Sequence, residues 1–336
     1  MQVDSVFLKA LGTCLPDSVP PPVPDAQSSE EGGLTGALVA GDVSPPELAV
    51  RAVRQAFARG GVDPADIAVL LHVSVFHQGP DGWLPPSYIA RETLGTSVPG
   101  IEIRQGCNGM FNAVELALGQ LALDPSRVGA LITSAENFGS PLVNRWTAHP
   151  GSYLGDGGVA LVLDRRGGFA RLRSLATALV PQLEQLHRGA EPLFPPGGTS
   201  GRPLEFGPRA RDFAALNLVP DGQEMLGRAR DRVLSQVLAE ADTALDEIAW
   251  VVSMNNSRPH VAKRLLEPLG VPMSRSGWEF GRSFGHLGAS DQFVTLERMV
   301  AAGRVAPGDK VLMLGVGPGI SIGGAVVEVL SVPDWD

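Results

Sequence analysis

One half of this 336-residue chain repeats the pattern of the other, and that repetition constrains the fold more than any single motif. In the first half a helical stretch, Pro46–Arg59, leads through an acidic turn into Asp63-Pro-Ala-Asp-Ile-Ala-Val-Leu-Leu-His-Val-Ser-Val75. In the second half Glu224–Ala241 leads into Ala244-Leu-Asp-Glu-Ile-Ala-Trp-Val-Val-Ser-Met254. Each is a helix, an acidic turn, Ile-Ala, and then an unbroken β-branched run. Downstream, a helix over Gly109–Ala122 precedes the strand Arg127–Ser134, and a helix over Asp291–Ala302 precedes Asp309–Gly315. Each half closes on a Gly-rich turn and another apolar strand, Gly155–Leu163 and Gly319–Val329. Strands apolar on both faces, alternating with helices, belong to sheets covered on both sides. Two such units in tandem predict a layered α/β/α/β/α body.

The repeat divides the chain into residues 1–175, a connecting stretch over 176–222, and residues 223–336. The stretch Pro181–Gly222 is rich in Pro, Gly and Arg, including Pro192-Leu-Phe-Pro-Pro-Gly-Gly-Thr, and reads as an irregular lid or substrate loop. Pro16–Gly33, with Val19-Pro-Pro-Pro-Val-Pro24, reads as a surface loop without chemistry.

Cys107 stands out within the first half. In Ile101-Glu-Ile-Arg-Gln-Gly-Cys-Asn-Gly-Met-Phe111 an alternating apolar run ends at Gly106, the thiol follows, and an amphipathic helix begins behind it. A sulfur in that position faces the orphan N–H groups and the positive end of the helix, which favour thiolate. The same N–H groups can meet an oxyanion when the thiolate attacks a carbonyl. A free cysteine is also often a small packing residue, and the local pattern leaves that reading open. Cys14, in Gly12-Thr-Cys-Leu-Pro16, reads as an inert residue at a strand end.

Two cysteines in a chain this long make no disulfide framework, which points to a reducing compartment. A net charge of −9 argues against a nucleic-acid or anionic-membrane binder. No run of 18 uncharged apolar residues and no leader-like start is present, so a soluble cytoplasmic protein is expected. No His/Cys/Glu cluster has metal-ligand spacing, and Gly315-Val-Gly-Pro-Gly319 lacks the lysine of a nucleotide loop, so no bound cofactor is expected.

The tandem halves, the elbow at Cys107, Gly155-Asp-Gly-Gly158 and Gly315-Val-Gly-Pro-Gly319 together resemble the thiolase fold. Within that fold they resemble the ketoacyl-ACP synthase III group. The resemblance implies a duplicated five-layered αβαβα architecture, a homodimer, and an acyl-phosphopantetheine donor on acyl carrier protein or CoA. Condensing members of the group carry a His and an Asn on separate loops of the second half. Here the first loop reads Ser253-Met-Asn-Asn-Ser-Arg258, without the histidine. The second reads Gly285-His-Leu-Gly-Ala-Ser-Asp291, with a histidine in the asparagine's place and an aspartate five residues on. That pattern is similar to synthase III-like acyltransferases of polyketide and antibiotic biosynthesis, in which a Cys, a His and an Asp form an acyl-transfer triad.

The resemblance therefore assigns Cys107 as nucleophile, His286 as base and Asp291 as the carboxylate that orients the imidazole. Those are the roles that acyl transfer requires. Gly285 and Gly288 would let so short a separation close. Asp291 alternatively caps the helix that starts there. Among the other histidines, His72, His77, His149, His187 and His260, only His77 in Phe76-His-Gln-Gly-Pro80 reads as standing beside a pocket loop. For the oxyanion, the group's donors are the nucleophile's own N–H and one in the C-terminal Gly-rich turn. Pro318 falls at the second position and has no N–H, so either Gly319 or Gly317 takes the role or the hole depends more heavily on the Cys107 amide. Asn255 and Asn256 could hold a polar acceptor or the pantetheine amide. Arg258, Lys263 and Arg264 match the group's carrier-docking position, or form a solvated helix face. The acceptor is a small-molecule hydroxyl or a second carrier thiol. A condensing synthase and a catalytically silent ketosynthase-like partner are the alternatives.

Overall fold

The computed structural model describes residues 1–3, 5–139, 141–194, 201–217 and 219–335. Nine strands form one hydrogen-bonded sheet. In chain order they are β1 (Phe7–Cys14), β2 (Ile67–Val73), β3 (Gly100–Ile103), β4 (Gly129–Glu136), β5 (Gly157–Asp164), β6 (Ala170–Leu179), β7 (Ile248–Val252), β8 (Lys310–Gly317) and β9 (Ser321–Val329). Their spatial order is β3-β2-β4-β5-β1-β6-β9-β8-β7.

The internal repeat of the sequence recurs in this pairing. β2 runs parallel to β4, which turns antiparallel into β5 and then β1. Likewise β7 runs parallel to β8, which turns antiparallel into β9 and then β6. The two series meet at a short seam, Phe7 opposite Arg171 and Leu8 opposite Ala170.

Helices complete the layers. The outer helices are α1 (Pro45–Gly60), which packs on β1, β4 and β5, and α5 (Gly222–Glu240), which packs on β6 and β9. Two further outer or peripheral helices are α2 (Pro85–Thr93), beside β2 and β3, and α4 (Phe206–Leu216). Between the two series of strands lie α3 (Gly109–Leu123) and α6 (Asp291–Ala301). α3 touches β2 and β4 on one side and β6 and β9 on the other; α6 touches β1 and β5 on one side and β7 and β8 on the other. This is why α6 is buried from Asp291 through Glu297, with no polar outer face. α1, by contrast, has one wet face. Ser44 receives the Glu47 carboxylate at its backbone N–H, 3.0 Å away, and Gly61 in the left-handed region (φ 55°) ends the helix.

The stretch 181–222 is more ordered than its composition implies. A 3₁₀ turn spans Pro181–His187 and α4 spans Phe206–Leu216, so the expectation of an irregular segment is corrected there. Pro195–Ser200 of that stretch lie outside the described residues. The first helix of the repeat runs one residue further at each end than the sequence reading, Pro45–Gly60, and the second starts two residues earlier and ends one earlier, Gly222–Glu240. Among the described residues, no helix is long and apolar enough to cross a membrane.

The Gly155–Gly158 turn is fixed by a buried ion pair. Arg145 donates to both oxygens of Asp156, at 2.8 and 2.9 Å, and also to the carbonyls of Leu38 and Leu154. Asp156 further accepts the N–H groups of Phe138 and Ala40. Gly155 itself abuts the chain at Phe284, where a Cβ would lie 2.0 Å from a carbonyl oxygen, so only glycine fits. Removing one partner of a buried, fully bonded pair strands the other charge. Arg145→Met should therefore lower unfolding free energy by about 3–5 kcal/mol, measured by urea titration. A change below about 1 kcal/mol would mean that the pair is dispensable.

Candidate active site

Cys107 lies in the 3₁₀ turn Gly106–Asn108, directly ahead of α3. The turn is tight because Gly106 has φ 57° and packs on Pro318, whose Cδ would be 2.5 Å from a Cβ there. His286 comes from the loop before α6. Its backbone is laced to the Gly155 segment: its N–H donates to Tyr153, and its carbonyl accepts from Gly155 at 3.0 Å. Gly285 (φ 73°) and Gly288 (φ 66°) bend the chain on either side of it. The imidazole Nε2 lies 3.0 Å from Cys107 Sγ, and Nδ1 lies 2.6 Å from Asp291 Oδ2.

Asp291 is the first residue of α6, behind the N-cap residue Ser290. Its carboxylate turns back toward the preceding loop instead of capping its own helix. Besides the imidazole it accepts the N–H of Leu287 at 2.7 Å, the N–H of Asn255 at 2.8 Å and the Asn255 side-chain amide at 3.3 Å. Both His286 and Asp291 are buried. Burial alone disfavours an imidazolium. The charges of Asp291 and of the Cys107 sulfur, and the hydrogen bonds to both, outweigh it and hold His286 well above its usual value. The arrangement can stabilise a thiolate–imidazolium pair and keep the proton on a defined nitrogen.

These groups open into a cavity of ≈ 1650 Å³. One wall is apolar, with Phe76, Phe138, Leu142, Leu154 and Leu204. Elsewhere the lining includes Arg104, Arg202, Arg209, Arg230, Lys263 and Arg264, and among the described residues no Asp or Glu lines it. On a chain of net charge −9 this is a segregated patch.

Lys263 and Arg264 are exposed at this lining, whereas Arg258 starts a short helix and is not part of it. Asn256 lines the cavity, and its Oδ1 is buried with no hydrogen-bond partner. Asn255 does not line it. Its amide is committed to Asp291 and to the Gly285 carbonyl at 2.8 Å, so it orients the triad's loop and is not free for a ligand. Gly319, Pro318 and Cys107 all line the cavity, which brings the Gly-rich turn beside the thiol. Met254, where condensing members of the resembled group carry histidine, lines it too.

His77 is exposed and stands outside the lining, which corrects the expectation that it flanks the pocket. His149, His187 and His260 line the cavity instead. The His149 ring is 5.9 Å from that of His286, centroid to centroid. Nothing in the residues flanking these three histidines signals the convergence, because it arises from separate loops. Glu136, at the end of β4, was also unforeseen. It accepts the N–H groups of Val75 (2.6 Å) and Phe76 (3.0 Å), and burial pushes its carboxyl up to about 8. Cys14 is half-buried and burial raises its thiol.

Comparison with known proteins fits this geometry. Residues 238–329 match the family model 3-oxoacyl-[acyl-carrier-protein (ACP)] synthase III C terminal. A beta-ketoacyl-[acyl-carrier-protein] synthase III of Streptomyces coelicolor is 26% identical, with 89% of this chain and 84% of the relative covered. A 3-oxopimeloyl-[acyl-carrier-protein] synthase of Rhodothermus marinus is 29% identical, with 87% and 81% covered. A solved structure of ChlB3, described as an acyltransferase, superposes with a TM-score of 0.94 at 45% identity, covering 99% of this chain and 100% of that one. The Aquifex aeolicus 3-oxoacyl-[acyl-carrier-protein] synthase III shares the fold, with a TM-score of 0.77, 18% identity, and 96% and 99% covered.

The lining histidines carry a pH signature. Burial, reinforced by neighbouring positive groups, depresses His149 to about 3 and His187 and His260 to about 4. Between their usual value of 6.5 and those figures, the unfolded chain takes up protons that the native site refuses, so stability falls as the pH falls. The melting temperature should drop on acidification from about pH 6.5 towards 4. His187→Gln should make that slope shallower in calorimetry, and an unchanged slope would mean that His187 titrates alike in both states.

Proposed function

The chain belongs to the ketoacyl-ACP synthase III family of thiolase-fold enzymes, and we propose that it is an acyltransferase working through an acyl-enzyme on Cys107. The observation that carries this reading is the continuous contact from Cys107 Sγ through His286 to Asp291. His286 takes the thiol proton, and the thiolate attacks the carbonyl of an acyl thioester. The Cys107 N–H and a donor in the Gly-rich turn, at Gly319, receive the oxyanion. The donor thiol departs with a proton from His286, leaving the acyl group on sulfur. An acceptor then gives its proton to His286 Nε2 and attacks the acyl carbon, and Cys107 leaves. Asp291 keeps Nδ1 protonated throughout.

The donor is an acyl carrier protein or CoA thioester. Lys263 and Arg264 at the cavity, on an otherwise acidic chain, suit the phosphate of a pantetheine arm. The acceptor is a hydroxyl or a second carrier thiol, no metal takes part, and the active form is a homodimer, as is usual in the resembled group. The similarity to ChlB3 favours acyl transfer, and secondary metabolism is the setting that the resemblance carried by Gly285–Asp291 implies.

A condensing reaction is the second reading, favoured by the names of the curated relatives. Met254 offers no proton or hydrogen bond to a malonyl carboxylate, which argues against it. Carbon dioxide release from malonyl acceptor would identify condensation.

Intact mass after exposure to acyl-CoA thioesters tests the acyl-enzyme: wild type should gain one acyl mass and Cys107→Ala none. Labelling of that variant would remove Cys107 from the chemistry. His286→Ala should slow transfer by about 10²–10⁴-fold. Asp291→Asn should lower the rate by a similar order through the wrong imidazole tautomer, and a normal rate would reduce Asp291 to a structural role.

A further inference from the structure

We propose that His149 binds the acyl acceptor, hydrogen-bonding the alcohol oxygen that attacks the acyl group and aligning it for His286. This rests on the acyl-enzyme reading above and adds to it a residue and a substrate class.

The placement of His149 is rigid. The segment that follows it is tied to the His286 loop through Tyr153 and Gly155. On its other side the Gly151 carbonyl accepts the Ser257 N–H at 2.7 Å, and the His260 ring fills the space beside Gly151. The imidazoles of His149 and His286 are thereby held 5.9 Å apart, tilted by 55°. Rings whose centroids lie this close let an oxygen hydrogen-bonded to one imidazole sit beside the other.

The polar atoms agree. His149 Nδ1 is engaged by the buried Ser152 hydroxyl at 2.9 Å, which leaves Nε2 as the atom offered to a ligand. Phe206 packs edge-on against the ring at 5.5 Å and restricts its rotation. Asn256, only 6% exposed and one residue from the Ser257–Gly151 bond, presents a partnerless Oδ1 to the same cavity. The wall is therefore short of a hydrogen-bond donor that a hydroxylated ligand supplies.

His149 contacts neither Cys107 nor Asp291 by any hydrogen bond of the triad, so loading of the sulfur does not require it. Burial, then the nearby His286, His187, His260 and Arg264, keeps the ring neutral down to about pH 3. It therefore offers hydrogen bonding and no proton transfer in the working range. In the step itself the acceptor O–H proton passes to His286 Nε2, the new C–O bond forms, the C–S bond breaks, and the Cys107 thiolate recovers the proton from His286. His149 ends the step as it began.

The test separates loading from discharge. The full chain is charged from a panel of acyl-CoA thioesters, acetyl to decanoyl, and the acyl-enzyme is followed by intact mass as it discharges to glycerol or to N-acetylcysteamine. In His149→Ala, loading and discharge to the thiol should stay within about twofold of wild type. Discharge to glycerol should fall about tenfold or more, as for one lost hydrogen bond. His149→Gln, which keeps a hydrogen-bonding group, should recover part of that loss with the pH profile unchanged. A fall in loading equal to the fall in glycerol discharge would overturn the proposal, since the ring would then only prop His286. So would glycerol discharge at the wild-type rate, or a wild-type acyl-enzyme that discharges to the thiol and not to glycerol. Wild-type protein that never loads would instead defeat the acyl-enzyme reading, and this acceptor site with it.

Discussion

A single buried carboxylate, that of Asp291, holds the candidate site together. It stands at the positive end of α6, where a negative charge is stabilised. Its bonds reach His286, Leu287 and Asn255, so one group joins the helix, the imidazole loop and the loop after β7. Asn255 can sit there because Gly281 has no side chain; a Cβ would lie 1.9 Å from the Asn255 amide oxygen. A carboxylate with this many donors repays its desolvation.

Around that anchor the cavity has two chemical characters. The Phe76–Phe138 end, with rings stacked at 6.0 Å, is apolar and suits an apolar group. The Lys263–Arg264 side is cationic and suits a phosphate. The sulfur lines the same cavity. Glu136 shapes the first end by bonding the backbone of Val75 and Phe76, and it also packs against Gly288 of the imidazole loop.

Much of the fold was legible because it rests on local signals. The helix–acidic turn–Ile-Ala–strand repeat follows from periodicity and burial, and its recurrence in the parallel pairing of β2 with β4 and of β7 with β8 is a direct consequence. Cys107 was conspicuous because a glycine, a thiol and a helix start are adjacent in the chain. His286 and Asp291 were legible through a short spacing flanked by glycines. His149, His187 and His260 were not, since they converge only when the loops after β4, after β6 and after β7 meet. The composition of Pro16–Gly33 reads as a surface loop without chemistry, yet Tyr153 donates to Asp25, the Arg258 backbone N–H donates to the Gly32 carbonyl, and the Arg282 side chain donates to that of Gly33. Such ties depend on tertiary closure, and composition carries no trace of them. Similarly, α4 lay hidden because Pro and Gly around it masked its periodicity.

Cys107 and His286 are 179 residues apart in sequence, and each begins or precedes a helix clamped between opposite series of strands. A chain emerging from the ribosome thus displays its cysteine long before the imidazole exists to activate it. The contact between Cys107 Sγ and His286 Nε2 therefore forms only once both halves of the chain have been made and packed together.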